Sequence, residues 1–260
     1  MQIIRYLTNN FGNPKFGILE KNKIFEIIGD ILTFRKKGNF VCFLNEVILL
    51  YPCLPTKIIC VAINFERVEG FSKTMSEPLV FVKPISCAAN PNDIITNPFP
   101  ELPWWGEAEL GVVIKKRMKN VDESKVRDGI LGFTIGNDTT VENVENRDHH
   151  LARSKCADAF CSFGPWIDTE FDADDCLIEA IQNGEVIRSA RSSEQFWQWP
   201  KIVSWLTTWM TLEPYDLILT GNPPDTVGMR FLEDGDNYIA RIEGLGELSN
   251  NFQLKNSINK

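Results

Sequence analysis

The chain has 260 residues, 43% hydrophobic and 24% charged, enough for one large domain or two small ones with packed cores. Its net charge of −8 argues against nucleic acid as a partner, because that role needs clustered Lys and Arg, and the longest basic run is Lys115-Lys116-Arg117. No apolar run reaches about 18 residues, and Met1-Gln2-Ile3-Ile4-Arg5-Tyr6 lacks the character of a secretory signal, so no membrane role is expected and the cytoplasm is the expected compartment.

Residues 1–55 mix short apolar runs, Gly17-Ile18-Leu19 and Ile24-Phe25-Glu26-Ile27-Ile28, with Asn, Gly and Lys, which predicts a small β-rich lead-in. Tyr51-Pro52-Cys53-Leu54-Pro55 reads as a linker, since paired prolines block regular structure, and 56–260 form the remaining domain. Short runs rich in β-branched and aromatic residues follow at 58–63, 79–82, 110–114, 131–135, 217–220 and 238–242, and read as strands. Between Trp197 and Met210 the apolar positions Ile202, Trp205, Leu206, Trp209 and Met210 recur at spacings of three and four behind Pro200, which predicts one amphipathic helix. Its tryptophans, with Trp197 and Trp199, read as core or dimer contact rather than a ligand platform. Strands outnumber helices without alternating with them, so the expected class is mixed α+β, mainly β, and not a doubly wound sheet.

Two residue types limit the chemistry. The histidines are His149 and His150 alone, so a multi-histidine metal site is hard to build and any histidine-dependent catalysis must use that dipeptide. The seven cysteines are odd in number and contain no C-x-x-C pair, which predicts reduced thiols and no zinc site.

Glu107-Ala108-Glu109 precedes the apolar run Leu110-Gly111-Val112-Val113-Ile114. Residues i and i+2 of a strand share a face, so both carboxylates project together from backbone positions about 6 to 7 Å apart. Asp138 follows the next strand behind Gly136-Asn137, where a turn can bring a third carboxylate to the same point. Carboxylates and waters without sulfur or imidazole suit a hard ion: Mg²⁺ or Mn²⁺, with Ca²⁺ also compatible.

From about Lys57 to Asn250 the chain resembles the fumarylacetoacetate hydrolase family. The resemblance is carried by Lys57-Ile58-Ile59-Cys60-Val61-Ala62-Ile63-Asn64-Phe65, Glu77 to Pro84, Trp105 to Ile114, Gly136-Asn137-Asp138-Thr139-Thr140, and Ser154-Lys155-Cys156-Ala157-Asp158-Ala159-Phe160. Phe163-Gly164-Pro165-Trp166, Asn183-Gly184-Glu185, Thr220-Gly221-Asn222-Pro223 and Glu243-Gly244-Leu245-Gly246 continue it in the same order. It implies a compact mixed β-roll, a homodimer, and a metal-dependent enzyme acting on 2-oxo or 1,3-dicarbonyl carboxylic acids. It also implies Glu107, Glu109 and Asp138 as metal ligands, Lys155 as the lysine that holds a substrate carboxylate or steadies an enolate, and Asp158 as that lysine's partner.

The pattern breaks in informative places. Hydrolytic members carry a His and a Glu that activate water; their positions here are Val68 and Phe71, so only His149 or His150 could supply a relocated base. The family's Arg-Asp falls at Glu142 and Asn143, its next Gln at Glu145, a later Gln at Arg188, a Thr at Ser192 and the Thr of G-T-P at Asn222. Glu142, Glu145, Arg188 and Asn222 are therefore candidate substrate-binding positions. Glu142, Glu145 and Arg188 fit a substrate with a cationic or polar group beyond its chelating end, or salt bridges among themselves. A catalytically silent binding protein is the contrasting expectation, but three clustered carboxylates are costly unless a cation neutralises them. Without the dyad, C–C hydrolysis is disfavoured relative to decarboxylation, isomerisation or C–C cleavage through a metal-chelated enolate.

Overall fold

The structure, a computed structural model, describes residues 1–8, 12–33, 35–148 and 151–255. In chain order the strands that build it are Gln2–Leu7 (β1), Lys15–Glu20 (β2), Lys23–Gly29 (β3), Arg35–Phe43 (β4), Ile58–Ala62 (β5), Leu79–Lys83 (β6), Ile94–Asn97 (β7) and Ala108–Ile114 (β8). They continue with Ile130–Asp138 (β9), Cys161–Asp168 (β10), Leu177–Gln182 (β11), Glu185–Arg191 (β12), Leu217–Leu219 (β13), Asn237–Ile242 (β14) and Gly246–Leu254 (β15). Two helices matter here, the single turn Ala152–Lys155 (α1) and Trp199–Trp209 (α2).

A large mixed sheet runs in the order β4-β3-β2-β1-β10-β9-β8-β13-β5-β6, and a smaller one in the order β12-β11-β14-β15-β7. Within these two orders pairing is antiparallel except where β13 meets β5 and β15 meets β7. The mixed, mainly β class expected from the sequence is the class observed. Strand β8 is buried along its whole length, as its unbroken apolar run requires of a central strand. At the far edge, β4 opens with Arg35-Lys36-Lys37, and charge on an edge strand discourages pairing with another chain. The lead-in joins the large sheet directly, through Gln2 opposite Asp168 and Ile3 opposite Ile167.

The main core lies between the sheets. Leu110, Val112 and Ile114 of β8 meet Ile178, Ala240, Ile242, Leu248 and Phe252 of the small sheet, and α2 adds Trp199, Ile202, Val203 and Leu206. Pro200 stands in the first turn of α2, where its missing N–H has no intrahelical role. Trp197 and Trp199 are core residues, as expected, with Trp199 edge-on to Phe133 at 5.1 Å; Trp209 is half exposed. A second core on the opposite face of the large sheet gathers Ile58, Cys60, Val113, Cys161, Leu217 and Leu219. All seven cysteines are free thiols, and among the described residues no helix is long and apolar enough to cross a membrane.

Candidate metal centre

Strands β8 and β9 pair with Ala108 opposite Asn137 and Glu109 opposite Gly136, so Glu107 falls opposite Asp138. While Ala108 and Leu110 point into the main core, Glu107, Glu109 and Asp138 project together from the other face of the same strand pair. One oxygen from each carboxylate lies within 4.8 Å of the others. A cation that binds oxygen at about 2.0 to 2.6 Å keeps its ligands at most about 5 Å apart, so the spacing and the all-oxygen donor set fit a hard divalent ion.

The backbone around the cluster is fixed by short hydrogen bonds. Asn137 Oδ1 accepts from the Glu107 amide at 2.8 Å, and the Asp138 amide donates to the Glu107 carbonyl at 2.9 Å. Trp105 Nε1 donates to Glu107 Oε1 at 2.7 Å, and the Gly221 amide donates to Glu109 Oε2. Gly221 sits at φ +106°, and a Cβ there would lie 2.7 Å from Asn64 Cβ. Only glycine lets that amide reach the carboxylate.

Two ammonium groups balance the carboxylates. Lys155, at the end of α1, donates from Nζ to Glu107 Oε2 at 2.8 Å and to Asp138 Oδ2 at 2.7 Å. Its ammonium also lies 5.1 Å from the centre of the Phe81 ring. Lys83, fully buried at the end of β6, holds Asp138 Oδ1 and donates to the Phe160 carbonyl at 2.7 Å. Burial is the largest single influence and works against both lysine charges, but the neighbouring acidic groups, Asp138 foremost, together outweigh it and hold both above the ordinary lysine value. Burial likewise opposes ionisation of Glu107, yet Lys155 and then Arg188 overcome it and bring that carboxyl down to about 2. Glu109 goes the other way, held well above the carboxylate range by burial and by the Asp138 and Glu107 charges.

The other candidate positions separate. Asp158 is exposed and is not the partner of Lys155, whose carboxylates are Glu107 and Asp138. Glu142 is exposed. Glu145 pairs with Arg147 at 2.9 Å and Arg153 at 3.5 Å, whereas Arg188 pairs with Asp225 at 2.7 Å. The expected salt bridges among Glu142, Glu145 and Arg188 therefore do not form: each charge has a nearer neighbour or solvent. Asn222 follows Gly221 and carries a buried Oδ1 with no hydrogen-bond partner among the described residues. Val68 is partly buried, and Phe71 packs edge-on to Phe196 at 5.2 Å, an apolar contact where the hydrolytic dyad would stand. His149 and His150 lie outside the described residues.

Sequence reasoning assigned no role to Lys83 or Trp105. A lone lysine ending the apolar run Leu79-Val80-Phe81-Val82 was the available signal for the first; Trp105 is adjacent in sequence but carries no signal of its hydrogen bond.

Residues 57–253 match the family described as fumarylacetoacetate (FAA) hydrolase C-terminal. Protein Rv2993c of Mycobacterium tuberculosis is 38% identical over 212 residues, spanning 80% of this chain and 79% of that protein. Oxaloacetate tautomerase Fahd2a, mitochondrial, of Rattus norvegicus is 31% identical over 219 residues, spanning 79% of this chain and 69% of that protein. The crystal structure of 5-carboxymethyl-2-hydroxymuconate delta-isomerase from Mycobacterium smegmatis is similar with a TM-score of 0.87 at 31% identity, covering 98% of this chain and 100% of that one.

Proposed function

Because this chain belongs to the fumarylacetoacetate hydrolase family, we propose that it is a divalent-metal-dependent enzyme that interconverts the keto and enol forms of a 2-oxo carboxylic acid. The observation that carries the reading is the cluster of Glu107, Glu109 and Asp138 with the Lys155 ammonium at hydrogen-bond distance from two of them. The three carboxylates would hold Mg²⁺ or Mn²⁺, which when bound supplies Lewis-acid polarisation of the oxo group.

The chain's own residues account for the rest. Lys155 is buried, so water does not compete for its N–H donors, and a charged donor in such a place stabilises negative charge developing on an enolate oxygen. Glu107 and Asp138 keep that ammonium charged and aimed. Lys83, on the far oxygen of Asp138, stops that carboxylate from turning away.

Isomerisation is favoured over C–C hydrolysis because Val68 and Phe71 offer no group to activate water. An oxaloacetate tautomerase and a delta-isomerase among proteins about 30% identical support the same choice. The test is the decay of enol absorbance of oxaloacetate with chelator-treated protein before and after Mn²⁺ is restored. A rate that rises with Mn²⁺ and is lost in Glu109→Gln is expected; a rate indifferent to both would overturn the reading.

A further inference from the structure

Two cysteines stand on the segments that deliver the two buried lysines. Cys87 closes the 3₁₀ turn Ile85–Cys87, four residues after Lys83; it is fully buried, and its amide donates to the Pro84 carbonyl at 3.0 Å. Cys156 follows Lys155 at the end of α1; it is partly exposed, and its amide donates to the Ala152 carbonyl at 2.7 Å. Its Sγ lies 4.0 Å from the carbonyl oxygen of Val82, the residue before Lys83, so the end of α1 rests on the end of β6. Both side chains pack in the second core, where the Cys87 thiol donates a hydrogen bond to the Cys156 sulfur. The thiols therefore meet where the two segments that grip Asp138 come together.

That contact makes the two sulfurs unequal. It brings the Cys156 thiol down to about 7 and pushes the Cys87 thiol up, with burial adding to the rise. The other five cysteines are held above the ordinary thiol value, each chiefly by burial. A partly exposed thiolate touching a second thiol is an attacking sulfur beside its resolving partner. We propose that Cys156 and Cys87 form a site of reversible oxidation, which takes a peroxide, closes to a disulfide and displaces Lys155. The Cys156 thiolate attacks one peroxide oxygen: the S–O bond forms, the O–O bond breaks, and the departing hydroxide takes up the proton the thiol had released. The Cys87 sulfur then attacks the sulfenic sulfur; the S–S bond forms, the S–O bond breaks, and the second hydroxide leaves as water with the Cys87 proton. Two thiols and one peroxide thus give one disulfide and two waters, and a dithiol reverses the change. Bonded sulfurs stand about 2.0 Å apart, far closer than thiols in contact. Cys87 is enclosed in the second core, whereas Cys156 ends a single helical turn, so Cys156 moves and carries Lys155 with it.

The test treats the reduced full chain with hydrogen peroxide and reads it by thiol titration and a non-reducing peptide map. Wild type is expected to lose two of its seven thiols and to yield a peptide pair joined through Cys87 and Cys156, with both thiols restored by dithiothreitol. Cys87→Ser lacks the resolving sulfur and is expected to hold a sulfenic acid at Cys156, trapped by dimedone. Cys156→Ser, a change at a partly exposed position, is expected to keep its remaining thiols at the same dose. Displacement of Lys155 is read by acetic anhydride labelling of that lysine, which is 2% exposed and held by two carboxylates in the reduced protein. Labelling is expected to rise severalfold in oxidised wild type and to stay unchanged in peroxide-treated Cys156→Ser. Survival of all seven thiols in wild type overturns the site, and so does a disulfide that joins two chains or another pair of cysteines. A Cys87–Cys156 disulfide with Lys155 labelled no faster overturns the displacement. None of these readings depends on which reaction the carboxylate cluster serves.

Discussion

Lys83 and Asp138 form an ion pair with both side chains essentially inaccessible to solvent, and Lys155 takes the other oxygen of the same carboxylate. Both oxygens of Asp138 are thereby held by buried ammonium groups. Removing one member of such a pair leaves a buried charge uncompensated, at a cost of about 3 to 5 kcal/mol. Lys83→Met is therefore expected to lower stability by that order in urea unfolding, with part of the loss recovered on adding Mn²⁺, because a ligand that binds only the folded state stabilises it. A variant as stable as wild type would show that Lys83 does not anchor Asp138.

Glu107 and Glu109 give the metal-free protein opposing pH responses. The Glu107 carboxyl is depressed to about 2, so its contribution to stability is present above about 4.5, the unfolded value, and is lost as pH falls from there toward 2. The Glu109 carboxyl is raised, so its contribution is complete below about 4.5 and is lost as pH rises through its elevated folded value. Glu109→Gln should remove the decline on the alkaline side. An ion must also displace the Glu109 proton. Mn²⁺ affinity should therefore rise with pH, with a heat of binding that depends on the buffer's ionisation enthalpy. A heat identical in two buffers would contradict proton release.

Val68 and Phe71 make the hydrolysis question experimental. Wild type should convert oxaloacetate enol to ketone without placing solvent oxygen in a carboxylate, and should leave acetylpyruvate uncleaved. Val68→His combined with Phe71→Glu supplies a base and its orienting acid, and is expected to raise acetylpyruvate cleavage in ¹⁸O-labelled water by about 100-fold, the usual worth of general base catalysis. Strong cleavage by wild type would instead point to a base on another segment.

Gly106 offers a steric test. Any side chain there must push the Tyr238 ring aside, so Gly106→Ala is expected to cost about 1 to 3 kcal/mol through overpacking. Urea unfolding of the variant measures that cost, and a stability equal to wild type would show that the Tyr238 ring yields freely.

The strands were legible because their apolar runs are long and buried on both faces: 110–114 became Ala108–Ile114 and 131–135 became Ile130–Asp138. The helix behind Pro200 was readable from its spacing and spans Trp199–Trp209. Strands such as Leu177–Gln182 and Gly246–Leu254 are not legible, because polar residues such as Glu179 and Asn250 interrupt their runs and only pairing with neighbours makes them extended. At the site, the i, i+2 rule put Glu107 and Glu109 on one face, and strand pairing added Asp138. The partners of Lys155, Arg188 and Glu145 were not readable, since ion-pair choice depends on loop paths that no local pattern encodes. Asp158, three residues from Lys155, lost to Glu107 and Asp138, which are 48 and 17 residues away in the chain.

All three candidate ligands stand on or beside one antiparallel strand pair at the centre of the large sheet, whereas Val68, Glu142, Glu145 and Asn222 stand on connecting segments. A strand pair locked by its register can be inherited whole while the loops around it change independently. The arrangement is thus modular: selection can rewrite the rim without reassembling the ionic machinery beneath it.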